Sequence, residues 1–252
     1  TGTDVAVLLS GGVDSSVALR RLLDAGHAVT PYYLKIWLAD ELAHLGSACP
    51  WEEDIAAAGA VAGQAGLRLT TLPLQAEYWE RVVATTVAEA RAGRTPNPDV
   101  LCNGRIKFGA FYEADQTYFL AHLTQAQLAK AAFPIGALTK PAVRAAAAAY
   151  GLPNSGRPDS QGICFLGKVK FDAFLAHHLG TRAGPLVEYE TGSRLGTHRG
   201  YWFYTPGQRR GLGLSGGPWH VVAKDVDANA VYVSRAYRDV AGVGVAFTFG
   251  GA

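Results

Sequence analysis

Serine, glycine and aspartate crowd one turn near the start of this sequence, Ser10-Gly11-Gly12-Val13-Asp14-Ser15-Ser16, directly after the apolar run Leu8-Leu9 that closes residues 4–9. An apolar run, a glycine turn and then apolar residues at helical spacing (Val13, Val17, Ala18, Leu22) read as strand, turn and helix. That order gathers free backbone N–H groups and the positive end of a helix around one point, which suits an anion. Glycine lets the chain turn sharply and lets a phosphate approach the backbone, while Ser10, Ser15 and Ser16 add hydroxyl donors. Asp14 has two open roles, as a helix cap or as a ligand to a divalent cation carried by a nucleotide. No lysine follows the glycines, and the spacing matches neither GxxxxGKS/T nor GxGxxG, which excludes a kinase-type phosphate loop.

Two cysteines stand in irregular segments. Cys102 closes Asn97-Pro98-Asp99-Val100-Leu101-Cys102, ahead of a short helix expected over 104–113 that carries Arg105 and Lys107. A helix N-terminus and nearby cations both favour a thiolate. Asp99 can exchange a proton at the same place, provided that the loop turns both side chains one way. Cys164 lies in Asp159-Ser160-Gln161-Gly162-Ile163-Cys164, where a side chain can face a cleft. A lone cysteine is most often a small buried hydrophobe, and Cys49 keeps that reading.

The elements that position these groups follow from periodicity. Helices are expected over 13–23, 52–65, 77–92, 124–132 and 139–150, with strands over 4–9, 28–37 and 67–74. Alternation of strand and helix implies a parallel sheet covered by helices. Two prolines within four residues make 93–103 a loop, and glycine punctuation makes 156–167 another. From about residue 180 the chain turns to short β-prone runs, at 201–205, 219–223 and 230–234, which predicts a small β module. The aromatic run Tyr201-Trp202-Phe203-Tyr204 reads as β-core, whereas Arg209 and Arg210, in a glycine-flanked turn, suit either solvent or a phosphate.

Composition removes whole classes. No apolar stretch approaches the roughly 18 residues of a membrane span, so no membrane role is expected. Three cysteines, at 49, 102 and 164, form no disulfide framework and no CxxC pair, so no protein-held metal is expected and the compartment should be reducing. With 23 basic and 21 acidic residues, global charge names no partner. No secretory signal pattern opens the sequence, and Met is absent throughout, which suggests a processed start or omitted residues. The cytoplasm is expected, or the mitochondrion or plastid after removal of a transit peptide.

SGGVDSS after a first strand resembles the PP-loop of ATP pyrophosphatases, which split ATP into AMP and pyrophosphate while adenylating a second substrate. TPNPDVLCN, followed by IKFGAF, DQTYFL, LTKPAVR, DSQGICFLG, GYWFYTPGQRRGLG and GPWHVVAKD, resembles the tRNA-specific 2-thiouridylases, in that family's motif order over residues 4–235. The resemblance implies an α/β fold. A parallel-sheet PP-loop (adenine nucleotide hydrolase-like) domain would cover 1–166, a small β-rich central domain 167–235, and the start of a truncated C-terminal β-barrel domain 236–252. It implies that ATP with Mg2+ binds on Leu8, Leu9, Ser10, Gly11, Gly12, Val13, Asp14 and Ser15, with Leu34 near the adenine. Asn97, Pro98 and Asp99 would hold the wobble uridine (position 34) of tRNA, and Asp115 and Gln116 would also contact tRNA. Adenylation of the C2 oxygen makes it a leaving group. Cys164 would carry sulfur as a persulfide, Cys102 would release it and pair with Cys164 as a disulfide, and Asp99 would act as acid and base. A cysteine desulfurase or relay protein would supply sulfur, and a monomer is expected.

The sequence departs from that pattern after Glu113, where a further strand and a glycine–histidine motif are expected and nothing matches; Ala114 also replaces the basic residue usual before Asp115-Gln116. Two other readings remain at this point. One is a PP-loop synthetase that adenylates another acceptor, and the other a degenerate, non-catalytic tRNA-binding protein.

Overall fold

A computed structural model of the chain describes residues 2–36, 51–110, 125, 129, 131–159 and 170–236. It divides into two compact units, one formed by Thr1–Thr86 with Asn97–Phe171, the other by Val87–Pro96 with Asp172–Ala252. Among the described residues no helix is long and apolar enough to cross a membrane.

The first unit is built on a parallel sheet of β1 (Asp4–Leu8), β2 (Ala28–Lys35) and β3 (Thr70–Pro73), in that order. Leu8 lies opposite Tyr32, and Tyr32 opposite Thr70. Parallel neighbours need a crossover, which α1 (Val13–Asp24) supplies for the first pair and α2 (Trp51–Gln64) for the second. α1 buries Val13, Val17, Ala18, Leu19 and Leu22, the stripe that its sequence spacing predicts with Leu19 added. These meet Ala58, Val61 and Ala62 of α2 and Val143 and Ala147 of a later helix in one core.

The helix expected over 77–92 is present in three sections: α3 (Gln75–Tyr78), a wider π-helical turn over Trp79–Val83, and α4 (Ala84–Arg91). The loop expected over 93–103 ends early. α5 (Pro98–Cys102) begins inside it and runs on as a π-helical stretch, Asn103–Ala110. The second proline of the supposed breaker is a helix starter here, at the first helical position, where a missing N–H costs nothing. The side chain of Asn97 completes the start by accepting from the N–H groups of Asp99 (3.0 Å) and Val100 (3.3 Å). α6 (Lys140–Ala149) matches expectation, with Pro141 in its first turn and Gly151 at φ 61° beyond its end. Most of the helix expected over 124–132 lies outside the described residues.

Three helices of this unit are tied at their C-terminal ends. The Tyr150 hydroxyl donates to Asp24 at the end of α1 (2.6 Å), and Gln64 at the end of α2 donates to the carbonyl of Gly151 (2.9 Å). Their N-terminal ends are brought together at the opposite side, where the functional loop lies.

The second unit holds a four-stranded sheet, reached through α7 (Phe171–Leu179). Its strands β4 (Gly184–Glu188), β5 (Arg194–His198), β6 (His220–Asp225) and β7 (Ala230–Ser234) lie in the order β5-β4-β7-β6. Only β4 and β7 pair in parallel. Neither α7 nor β5 stands out as a run in the sequence. Residues 201–205, expected to be extended, instead open with a 3-10 turn, Tyr201–Phe203. Gly200, at φ 143°, breaks the strand, and the Trp202 ring folds back to within 2.7 Å of where a β-carbon on it would stand. Tyr201, Phe203 and Tyr204 are nonetheless buried with Trp219, Val221, Val231 and Val233.

Lys224 of β6 shows what this packing costs. Burial pushes its ammonium down to about 8, although Nζ donates to the Tyr204 carbonyl at 2.9 Å. Between that value and the ordinary 10.5 the unfolded chain binds more protons than the folded one, so the contribution of Lys224 to stability rises with pH across this window. K224M removes the effect. The urea midpoint of the native chain, measured against that of K224M, should climb from pH 8 to pH 10; two parallel pH curves would refute the assignment.

Candidate active site

The turn from β1 to α1 has the geometry of an anion cradle. Gly11 sits at φ 81°, and Gly12, extended at φ −78° and ψ 160°, caps α1 without any side-chain hydrogen bond. The carbonyl of Gly11 is held from behind by Asn154 Nδ2 (2.9 Å) and an Arg157 guanidinium nitrogen (3.0 Å). Because a trans peptide points its C=O and N–H in opposite directions, the Gly12 N–H faces the other way, beside Ser10 Oγ at 3.4 Å. The amides of Val13, Asp14 and Ser15 belong to the first turn, where a helix offers them no acceptor. Ser15 Oγ reaches the Ser10 hydroxyl (3.3 Å) and the Gly12 carbonyl (3.1 Å), and the buried Ser16 hydroxyl donates to the same carbonyl (2.8 Å). Leu9 and Val13 are buried beneath the loop and Leu8 and Leu34 are half-buried, Leu34 on β2 opposite Leu72.

A belt of residues to which the sequence alone assigns no role encloses this loop. Asn154, buried, also donates to Ser16 Oγ at 2.9 Å, so both its contacts fix the turn. Arg157 spans from the Gly11 carbonyl to Asp54 in the first turn of α2 (2.8 Å). Lys140, the first residue of α6, donates to both carboxylate oxygens of Asp14 (2.7 and 2.6 Å) and stands 3.1 Å from Asp159. Arg144 donates to Asp159 (2.7 Å) and to the Arg157 carbonyl (2.6 Å). LTKPAVR and the opening of DSQGICFLG are the motifs concerned, and the signal that could have assigned them is their cationic residues, the counter-charges an anion site needs.

Partial burial draws the Lys140 ammonium down, but hydrogen bonds and charges from Asp14 and Asp159 outweigh it and leave the group above its ordinary value. The hydrogen bond from Lys140, with its charge and that of Arg144, holds the Asp159 carboxyl below the usual range. The side chains of Lys140 and Asp14 are 43% and 38% exposed, and ion pairs that wet contribute only about 0–1 kcal/mol. An arriving phosphate can therefore take over the Lys140 ammonium at little cost, which also frees the one carboxylate of the loop. Among the described residues no cluster of three or more His, Cys, Asp or Glu could hold a metal by itself. A cation here would have to share its coordination with a ligand's own oxygens, and Asp14 fits that need.

Asp99 and Cys102 lie three apart on α5, which sets them on one helix face. Pro98 is buried and starts the helix, while the side chain of Asn97 is engaged in capping it. Cys102 is fully buried and sits at the end of α5, one turn in from the helix mouth where its sequence context suggests it. Arg105 is not spent on the thiol either: its guanidinium donates to the Arg81 carbonyl (2.8 Å) and the Thr85 hydroxyl (2.7 Å). Cys164, Asp115, Gln116 and Cys49 lie outside the described residues.

Comparison with known proteins follows the division of the fold. A family model described as a tRNA methyl transferase HUP domain matches residues 3–114 and 112–168, and one described as a tRNA methyl transferase PRC-barrel domain matches 172–235. The tRNA-specific 2-thiouridylase MnmA of Porphyromonas gingivalis is 46% identical over 267 residues, covering 93% of this chain and 73% of the relative. The enzyme of the same name from Parabacteroides distasonis is 44% identical, with 93% and 74% covered. One from Bacteroides thetaiotaomicron is 45% identical, again with 93% and 74% covered. This chain belongs to the tRNA-specific 2-thiouridylase family. Methyl transfer in the family descriptions and thiolation in the names of the relatives disagree, and a glycine–serine cradle backed by cations suits the binding of a nucleotide triphosphate. The HUP match breaks at 112–114, where the sequence departs from the family pattern, and 267 matched residues against 93% of 252 make the matched stretch longer in the relative than here.

The left-handed turn at Gly11 generates a test. A β-carbon there would stand 2.4 Å from the Asp54 carbonyl oxygen, in a conformation that L side chains rarely adopt. G11A should destabilise the first unit by about 1–3 kcal/mol in urea titration and abolish ATP binding measured by calorimetry. Unchanged stability and affinity would show that the turn is not under this constraint.

Proposed function

We infer that this chain is an ATP-dependent, AMP-forming tRNA-uridine 2-sulfurtransferase that converts wobble uridine (position 34) into 2-thiouridine. The observation that carries the reading is a phosphate cradle, with its glycine turn and ring of cations, inside a chain about 45% identical to thiouridylases over most of its length. In domain terms, ATP chemistry belongs to residues 1–166 and the β-rich module over 167–235 serves RNA. The enzyme acts as a monomer in the cytoplasm, and takes its sulfur from a cysteine desulfurase or relay protein.

ATP is the activating substrate. Its phosphates bind at the amides from Gly12 to Ser15 and the Ser10 hydroxyl, with Leu34 near the adenine and Asp14 toward Mg2+, whose chemistry is to offset phosphate charge. Lys140 moves its ammonium from Asp14 to the phosphates. A single-stranded anticodon loop can splay its wobble base out of the stack, and Asn97, Pro98, Asp99, Asp115 and Gln116 receive it. The C2 oxygen of uridine attacks the α-phosphorus, and the bond to the β-phosphate oxygen breaks, releasing pyrophosphate. The terminal sulfur of a Cys164 persulfide then attacks C2 and AMP leaves with the original oxygen, while Asp99 moves the protons. Finally the Cys102 thiolate attacks Cys164 Sγ. The S–S bond to the transferred sulfur breaks, 2-thiouridine departs, and a Cys102–Cys164 disulfide remains for a thiol reductant to reopen.

The test is nucleoside mass spectrometry of unmodified tRNA after incubation with the protein, ATP with Mg2+ and a persulfide source. 2-Thiouridine should appear with the native chain and not with C164S. AMP without thiolated nucleoside would place the acceptor elsewhere, in the manner of another PP-loop synthetase. Tight tRNA binding with neither product would indicate a binding protein.

Lys140 gives a second, separable expectation. Its ion pairs are too wet to matter much for folding, whereas a phosphate donor lost from the cradle typically lowers kcat about 100-fold. K140A should cut AMP formation by that order with a urea midpoint close to native, and K140R should recover part of the rate. A large fall in stability with proportionate loss of rate would instead make Lys140 a structural tie.

A further inference from the structure

We propose that the second unit carries a phosphodiester-binding pocket of its own, formed by Arg209 and Arg210 around a glycine loop, which grips the backbone of tRNA. The proposal rests on the reading that tRNA is the substrate and adds a place where it is held.

The loop between the 3-10 turn and β6 is firmly built. The N–H of Gly207 donates to the Val221 carbonyl (2.7 Å), and the N–H of Val221 to the Gln208 carbonyl (3.0 Å). The Gln208 side chain accepts from the Thr205 N–H (3.0 Å) and donates to the Arg210 carbonyl (2.9 Å), bracing the turn from within. Leu212 and Trp219 anchor it in the core, and the Trp219 indole N–H donates back to the Ser215 carbonyl (3.0 Å). Between these anchors a concavity of about 430 Å³ opens, walled by Arg209, Arg210, Gly211, Gly213, Gly217 and Trp219.

Nothing on the protein neutralises this concavity among the described residues. Arg209 and Arg210 are exposed, and neither guanidinium meets a carboxylate there. Arg235 lies outside the lining, its guanidinium stacked 4.7 Å over the Trp219 ring and 3.7 Å from the position of a β-carbon on Gly216. Gly211, Gly213 and Gly216 all hold positive φ, at 80°, 65° and 80°, and a β-carbon on Gly213 would meet nothing within 4 Å. These glycines therefore serve the shape of the loop and leave its backbone open to a ligand. Two unanswered guanidiniums beside exposed backbone suit a phosphate, which takes a planar fork of donors two oxygens at a time. The Trp219 ring is buried, so no base-stacking platform is offered; the pocket reads backbone and not sequence.

Binding of unmodified tRNA, measured by fluorescence anisotropy between 50 and 200 mM KCl, tests the pocket with the native chain, R209A/R210A and R209K/R210K. Calorimetric affinity for ATP is measured alongside. R209A/R210A should weaken tRNA binding at least tenfold and lower the slope of log K against log salt by about 1.5 to 2, one phosphate contact per arginine, with ATP affinity unchanged. R209K/R210K should keep the salt slope and lose part of the affinity, because lysine retains charge without the fork. Native affinity and slope in R209A/R210A, while the native chain binds and thiolates tRNA, would overturn the pocket and leave the function standing. Loss of ATP affinity together with tRNA would also overturn it, by assigning the arginines to the nucleotide site or the fold. A native chain that binds no tRNA would overturn both.

Discussion

The close contact at Gly11 is the constraint on which the first unit depends. Its backbone passes so near the Asp54 carbonyl that only glycine fits, and its own carbonyl is taken by Asn154 and Arg157. Turning that carbonyl inward turns the next N–H outward, and α1 begins at once with its first amides unspent. The same contacts gather the N-terminal ends of three helices. α1 starts at the loop, the first turn of α2 reaches it through Asp54 and Arg157, and α6 reaches it through Lys140 and Asp14. With their C-terminal ends tied by Tyr150, Asp24 and Gln64, the helices run alongside one another, so their dipoles reinforce at one point. A cradle for negative charge is thus a property of the whole layer of helices and not of the glycine string alone.

Burial separates what must stay fixed from what must exchange. Asn154 is buried and saturates its amide nitrogen with two acceptors, so replacing its contacts would cost a full desolvation penalty. Lys140, Asp14 and Asp159 form short ion pairs in a half-exposed position, where water competes and the pairs are weak. The rigid part of the site therefore rests on Asn154 and on Arg157, which hold the Gly11 carbonyl, and the replaceable part on the half-exposed ion pairs of Lys140. An enzyme that must bind a highly charged triphosphate and then release pyrophosphate needs the replaceable kind where the phosphates sit.

The sequence made the anion loop legible because strand, glycines and amphipathic helix are local signals, and β1, α1, α2 and α6 followed from periodicity. The belt around the loop was not legible in the same way. Asn154, Arg157 and Lys140 act across more than a hundred residues of sequence, and their contacts depend on how α6 packs against α1. Reading 93–103 as a loop failed for a local reason: Asn97 and Pro98 punctuate a helix start as readily as a break, and only packing decides between them. Residues 201–205 misled because buried aromatics suit a strand, yet Gly200 bends the chain out of one. The membership of the chain in its family was legible from the joint order of several motifs, far more than from any one of them.

Cys102 carries the physical tension that remains between fold and chemistry. Its thiol is fully buried at the end of α5, on the same helix face as the half-exposed Asp99. Burial shields a thiol from solvent oxidants, which supports the resolving role proposed for Cys102. It also requires that the sulfur be uncovered before it can attack anything. The chain just beyond is wound as a π-helix from Asn103 to Ala110, a form rare in proteins and concentrated at functional sites.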